Sequence, residues 1–136
     1  TRELVEASGH FALQLPTVPQ AALTEALGTE SAHTHPDKLQ RHHVELFDAP
    51  GLNDVPAEHR PPLVPGCAAW LVCRVIPEPH NQQAYDLFIG EVVGAWADDR
   101  AFRNGHWEFD TATDHLRTLH YVAGGQFYAT GQSIKV

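Results

Sequence analysis

The sequence predicts a single mainly-β domain with a few short helices, and three observations carry that expectation. Residues 67–76 (CAAWLVCRVI) and 87–96 (LFIGEVVGAW) are two long apolar runs of β composition. Phe11, Leu13 and Leu15 alternate with Ala12 and Gln14, the period-two pattern of a strand. A chain of 136 residues with 43% hydrophobic side chains is large enough for one core but not for two.

The elements follow in chain order. Arg2 to Ser8 (RELVEAS) has helical composition, and Gly9 stops it. The alternating strand over residues 11–15 ends at Pro16. Thr17-Val18-Pro19-Gln20 is a capping-box pattern with an early proline, which starts a helix over Gln20 to Leu27 ahead of Gly28. Thr34-His35-Pro36-Asp37 repeats the device and predicts a short helix from Pro36 to about His43. Residues 48–65 hold five prolines and read as a loop. The two apolar runs pair antiparallel across a proline-containing linker, Pro77 to Tyr85. Both runs are apolar on both faces, so both faces are expected to be covered, one by the core of a small barrel and the other by a helix or a partner subunit. Gly90 and Gly94 inside the second run mark a bend or a close backbone approach. Residues 97–125 read as mostly loop with a short strand over His106 to Phe109, and Phe127 to Thr130 as a last strand.

Composition excludes several function classes. With 9 Lys+Arg against 17 Asp+Glu and a net charge of -8, the chain has no basic patch for a phosphate backbone, so no nucleic acid is expected as a partner. Its apolar runs are too short to span a bilayer, and no membrane is expected either. No signal peptide is visible. Cys67 and Cys73 lie six residues apart in one apolar run. On a strand that is about 20 Å, beyond disulfide reach. They are expected to be small buried apolar residues in a reducing cytoplasm.

Residues able to carry chemistry are few. His33 and His35 form H-x-H in a loop, and His42-His43 diverge on a helix; with no H-E-x-x-H or C-x-x-C spacing, the ten histidines read as surface residues and no metal is expected. No G-x-S-x-G marks a hydrolase nucleophile. Asp98, Asp99, Asp110 and Asp114 sit in polar stretches and read as solvated. Glu91 lies mid-strand among apolar neighbours; a buried carboxylate needs a partner, and Arg74 on the adjacent run is the natural one. Gly124-Gly125 precedes Gln126-Phe127-Tyr128, a turn with aromatics beside it that suit a flat ligand. Thr1-Arg2 opens a helix with a hydroxyl and a guanidinium, groups that suit a phosphate dianion.

Taken in order, these segments resemble the flavin reductase-like family with the FMN-binding split β-barrel, in its flavoredoxin-type branch. Thr1-Arg2-Glu3-Leu4-Val5 through Ser8-Gly9-His10-Phe11 is similar to that family's T-x-E-L-I…S-G-x-F segment, and Asp37-Lys38-Leu39 to its D-K-F. Residues 65–75 (PGCAAWLVCRV) are similar to x-E-C-x-x-x-L-E-C-R-V, and Asp86-Leu87-Phe88-Ile89-Gly90-Glu91-Val92 to the strand h-T-L-F-I-G-E-V. Residues 125–131 (GQFYATG) resemble the closing R-Y-A-T-x-G.

The resemblance implies an NAD(P)H:flavin oxidoreductase with FMN as cofactor and NADH or NADPH as co-substrate. It implies a cytoplasmic homodimer that hands electrons to an oxygenase or another acceptor. Two other readings stay open: a non-enzymatic FMN-binding module for electron transfer or sensing, and a barrel that has lost flavin and serves as a scaffold. Position by position, Thr1 with Arg2 would meet the FMN phosphate, Lys38 would reach the flavin, and Phe127 would lie near the isoalloxazine. Tyr85 stands where the family often has a histidine beside the flavin or nicotinamide, and a phenol does not carry a proton near neutral pH as imidazole does. The flavin performs the hydride chemistry, so no catalytic acid or base is expected in the chain. The family's first strands, with their S-x-x-P-P-h region, come before the position of Thr1. Residues 1–136 are therefore expected to be the C-terminal two-thirds to three-quarters of the barrel.

Overall fold

The computed structural model describes all of residues 1–136. Helix α1 (Arg2–Ser8) ends where predicted: Gly9 adopts φ 67° and its N–H donates to the Val5 carbonyl, a left-handed conformation that a Cβ would disfavour. Strand β1 (His10–Leu15) follows. The capping box forms, with the Thr17 N–H donating to Gln20 Oε1 at 3.0 Å. It closes a 3-10 turn, Val18–Gln20, from which α2 (Ala21–Thr29) continues.

Helix α2 runs past Gly28. Lys38 Nζ donates to the carbonyls of Leu27 at 3.2 Å and Glu30 at 2.8 Å, meeting acceptors that a helix end leaves free. The helix expected over Pro36 to His43 is a single turn, α3 (Lys38–Arg41).

Strand β2 (Ala69–Ile76) is the centre of an antiparallel three-stranded sheet of order β1-β2-β3, with β3 spanning Ile89–Ala97. The Pro77 to Tyr85 stretch is not an extended linker. It holds helix α4 (Pro79–Tyr85), ended by Asp86 at φ 53°. Pro79 opens that helix in its first turn, where its missing N–H has no partner to lose.

Val72 pairs with Gly94 and Cys73 with Val92, which leaves Val93 as the extra residue of a bulge. The strand glycines are sites of close approach. A Cβ on Gly90 would lie 2.6 Å from Phe11 Cζ and 2.9 Å from Cys73 Cβ, and one on Gly94 would overlap the Trp96 ring.

Residues 97–125 are more ordered than the sequence indicated. Strands β4 (Phe102–Arg103) and β5 (His106–Trp107) form a small hairpin. Strand β6 (Leu119–Ala123) pairs with β7 (Gln126–Ala129). Gly124 and Gly125 join them at φ 58° and 77°, the positive angles of a primed hairpin turn. This hairpin continues the wall beyond β1: the Leu119 N–H donates to the Pro16 carbonyl at 3.2 Å, and the Val18 N–H to the Arg117 carbonyl at 3.0 Å.

The core lies between the three-stranded sheet and the proline-rich segment. Ala49, Leu52, Val55 and Leu63 pack on Val72, with Ala12, Trp70 and Trp96 around them. The segment is irregular, as expected, yet it supplies most of this cluster.

β3 is an edge strand whose Ile89, Val92 and Val93 are 40%, 50% and 36% exposed in a single copy of the chain. The burial expected of Glu91 is corrected: Arg74 Nη2 donates to its carboxylate at 2.6 Å, but both side chains are more than half exposed. No helix is long and apolar enough to cross a membrane.

Candidate functional site

Three cavities adjoin along β1 and α2. The first, about 330 Å³, is lined by Thr1, His10, His59 and Arg60 among others, and extends to Gln14 and Pro62. The second, about 220 Å³, begins at Gln14 and passes Cys67 and Leu23 to Thr24. The third, about 300 Å³, runs from Thr24 to Tyr121 and Phe127. Shared Gln14 and Thr24 make these one discontinuous groove, cationic and hydroxylic at one end and aromatic at the other. Ligand sites combine these properties: apolar walls and a few placed polar groups.

Side-chain clamps hold the groove wall. Gln14 Nε2 donates to the Pro62 carbonyl at 3.1 Å, and its Oε1 accepts the Val64 N–H at 2.7 Å. Gln20 Nε2 donates to the Pro65 carbonyl at 2.8 Å, and the Thr17 hydroxyl to the Gly66 carbonyl at 2.9 Å. Trp70 Nε1 closes the set on the Val64 carbonyl at 2.8 Å. The 62–66 loop is thus fixed from β1, the start of α2 and β2. No buried side-chain polar atom lacks a partner.

The residues expected to bind cofactor fall in three places. Thr1 lines the first cavity and Phe127 the third, where its ring centroid is 5.1 Å from that of Tyr121. Lys38 stands at the end of α2 with its ammonium on the Leu27 and Glu30 carbonyls. Arg2 is on the far side of α1, paired with Glu6 and Asp86 and 6.0 Å from the Phe88 ring centroid. Asp86 directly follows Tyr85, which is 68% exposed and packs edge-on against His80. The sequence reading did not single out His10, His59 or Arg60. His10 is some fifty positions from the other two in the chain, and only the approach of the 57–60 turn to β1 joins them.

The cysteines and the remaining paired carboxylates are structural. Burial pushes the Cys67 thiol up, partly offset by a hydrogen bond from Gln20, and burial pushes Cys73 up as well. Both are free thiols. Asp98 is not solvated as expected: its side chain is 16% exposed, and Arg100 grips both carboxylate oxygens, holding its carboxyl below the usual range. Asp110 is held low by Ser133. No three His, Cys, Asp or Glu side chains converge as metal ligands.

The fold is a small β domain whose cavities offer cationic and hydroxylic groups beside α1 and β1 and aromatic rings beside the β6–β7 hairpin. Residues 1–128 match the family model for the flavin reductase like domain, and the chain belongs to that family. An Escherichia coli K12 protein, YddH, is 35% identical over 134 residues, 98% of this chain. The chain spans 66% of the length of that relative. A crystal structure of an FMN-binding domain of a flavin reductases-like enzyme from Shewanella baltica OS155 is 52% identical, with a TM-score of 0.90 over 100% of this chain and 68% of its own. Component B of nitrilotriacetate monooxygenase from Bacillus cereus shares the fold at 14% identity, with a TM-score of 0.68 over 97% of this chain and 62% of its own.

Proposed function

We propose that this chain is the larger part of an FMN-binding NAD(P)H:flavin oxidoreductase. The groove is the observation that carries the reading. Its donor set fits the cofactor: a hydroxyl, two imidazoles and a guanidinium at one end suit a phosphate, and the Tyr121–Phe127 pair at the other suits a planar ring. The 52% identity to an FMN-binding domain supports the same cofactor. When bound, FMN supplies the hydride acceptance from NADH or NADPH.

The chain's own residues bind and orient. In this reading Thr1 faces the phosphate and Phe127 the ring. Lys38, at the end of α2, reaches the flavin, and Tyr85, next in the chain to the Asp86 that pairs with Arg2, contributes on the nicotinamide side. A homodimer is part of this reading. The likeness to a monooxygenase component supports an oxygenase as the acceptor of reduced flavin. Two free buried cysteines accord with the cytoplasm.

A second reading, an FMN-binding electron carrier or sensor without nicotinamide chemistry, draws on Tyr85. At that position the phenol is largely in solvent. The visible spectrum of the purified protein, with and without added FMN, tests both readings. Flavin bands with consumption of NADH or NADPH support the enzyme, and flavin bands without consumption support the carrier. A protein that takes up no flavin is neither.

A further inference from the structure

Two carboxylates stand on α2 or just past its end. Glu30 is fully engaged: Arg41 Nη2 donates to it at 2.6 Å, and His42 Nε2 lies 3.2 Å from its other oxygen. Glu25 is different. It is half-buried, and its side-chain oxygens have no protein donor; only its main-chain carbonyl takes a side-chain bond, from the Thr29 hydroxyl at 2.8 Å. The residue lines the third cavity with Tyr121 and Phe127. A Cβ on Gly125 would lie 3.8 Å from Glu25 Oε1, so the charge sits against the turn that leads into Phe127.

Nothing beside it offsets that charge. Arg41 and His42 belong to Glu30, and Lys38 rests its ammonium on the Leu27 and Glu30 carbonyls. Arg117 pairs with Asp114 and donates to the Thr130 carbonyl. The hydroxyls on the cavity wall are also committed: Thr24 donates to the Gln20 carbonyl at 2.9 Å, and Thr29 to that of Glu25. The Tyr121 phenol is the remaining side-chain donor there. An aromatic slot with an unneutralised carboxylate accepts a neutral ring and resists an anionic one.

Flavin reduction makes that change of charge. The C–H bond of the dihydronicotinamide breaks, its electron pair forms an N–H bond on a neutral isoalloxazine, the ring becomes an anion, and the nicotinamide leaves as a cation. We propose that Glu25 biases this cavity against the reduced, anionic flavin, which lowers the potential of the bound cofactor and favours its release to an acceptor. The proposal rests on the flavin-binding reading, which places the ring by Tyr121 and Phe127, and adds a residue that sets the balance between its two oxidation states.

The test is anaerobic titration of the full-length protein with FMN and with dithionite-reduced FMN, giving a dissociation constant for each, together with spectroelectrochemistry of the bound flavin. Wild type, Glu25→Gln and Glu25→Asp are compared. Glu25→Gln is expected to tighten reduced FMN relative to oxidised FMN by about threefold to tenfold, as expected for removal of one like charge near the ring. The potential rises in step, by about 30 mV for each tenfold in that ratio. Glu25→Asp, which keeps the charge, stays nearer to wild type. An unchanged ratio in Glu25→Gln overturns the proposal, and so does an equal weakening of both forms, which marks Glu25 as a purely structural residue. If Glu25→Gln does not give the wild-type circular dichroism spectrum, Glu25→Ala decides by the same ratio. In those cases FMN still binds and the flavin-binding reading stands. A wild type that binds neither form removes that reading, and this inference falls with it.

Discussion

Thr17 shows what one side chain does here. It is the one polar residue in the buried set, 3% exposed, and its hydroxyl donates to the Gly66 carbonyl at 2.9 Å. Thr17→Val keeps the shape but leaves that carbonyl unmet, and urea unfolding is expected to show a loss of about 1–2 kcal/mol. The cysteines make a second prediction. Burial holds Cys67 and Cys73 in the thiol form, so a thiol reagent at pH 8 is expected to label them far more slowly in the native protein than in urea. Fast native labelling would contradict that burial. At this scale the sequence was partly readable. The partnership of Arg74 with Glu91 followed from strand adjacency alone. That both side chains reach solvent did not, because exposure depends on what covers an edge strand.

At the scale of elements, β3 is held close to β1 and β2 by having no side chain at Gly90. Gly90→Ala would press a methyl group into Phe11 and Cys73, and a destabilisation of about 1–3 kcal/mol is expected in denaturant melts. Lys38 joins α2 to α3 through the Leu27 and Glu30 carbonyls. Lys38→Ala is expected to fray the end of α2, read as faster amide exchange there, and to weaken FMN; unchanged FMN affinity would refute its assigned place by the flavin. Helix α1, β1, the capping box before α2, and the β2–β3 pair were all legible, since each rests on local pattern and turn residues. Helix α4 and strand β6 were not. Two prolines masked the first, and the second is defined by pairing with β7 rather than by alternation of its own.

For the whole molecule, the carboxyls of Glu30, Asp98 and Asp110 are held low. Glu30 owes this first to the hydrogen bond from His42 and then to Arg41, Asp98 to Arg100, and Asp110 to Ser133. A carboxyl with a folded pKa below its unfolded one adds stability above the unfolded value and loses it as pH falls through the folded one. Thermal melts are therefore expected to be flat near neutrality and to fall below about pH 5, into the carboxylate range. Sedimentation is expected to show a dimer that covers β3, and a monodisperse monomer of the full-length protein would count against it. By itself the sequence determined the class of fold and the antiparallel pairing of the two long runs, because alternation, capping and turn chemistry are local and leave direct traces in the chain, and it pointed to the family through the resemblance of its ordered segments. Only the tertiary structure decided that the proline-rich segment supplies the core. It also decided that Arg60 is left without a carboxylate while six other arginines are paired, and that His10 and His59 stand beside it. Those facts depend on which distant segments meet, and that is set by packing of the whole chain rather than by any pattern within one stretch of it.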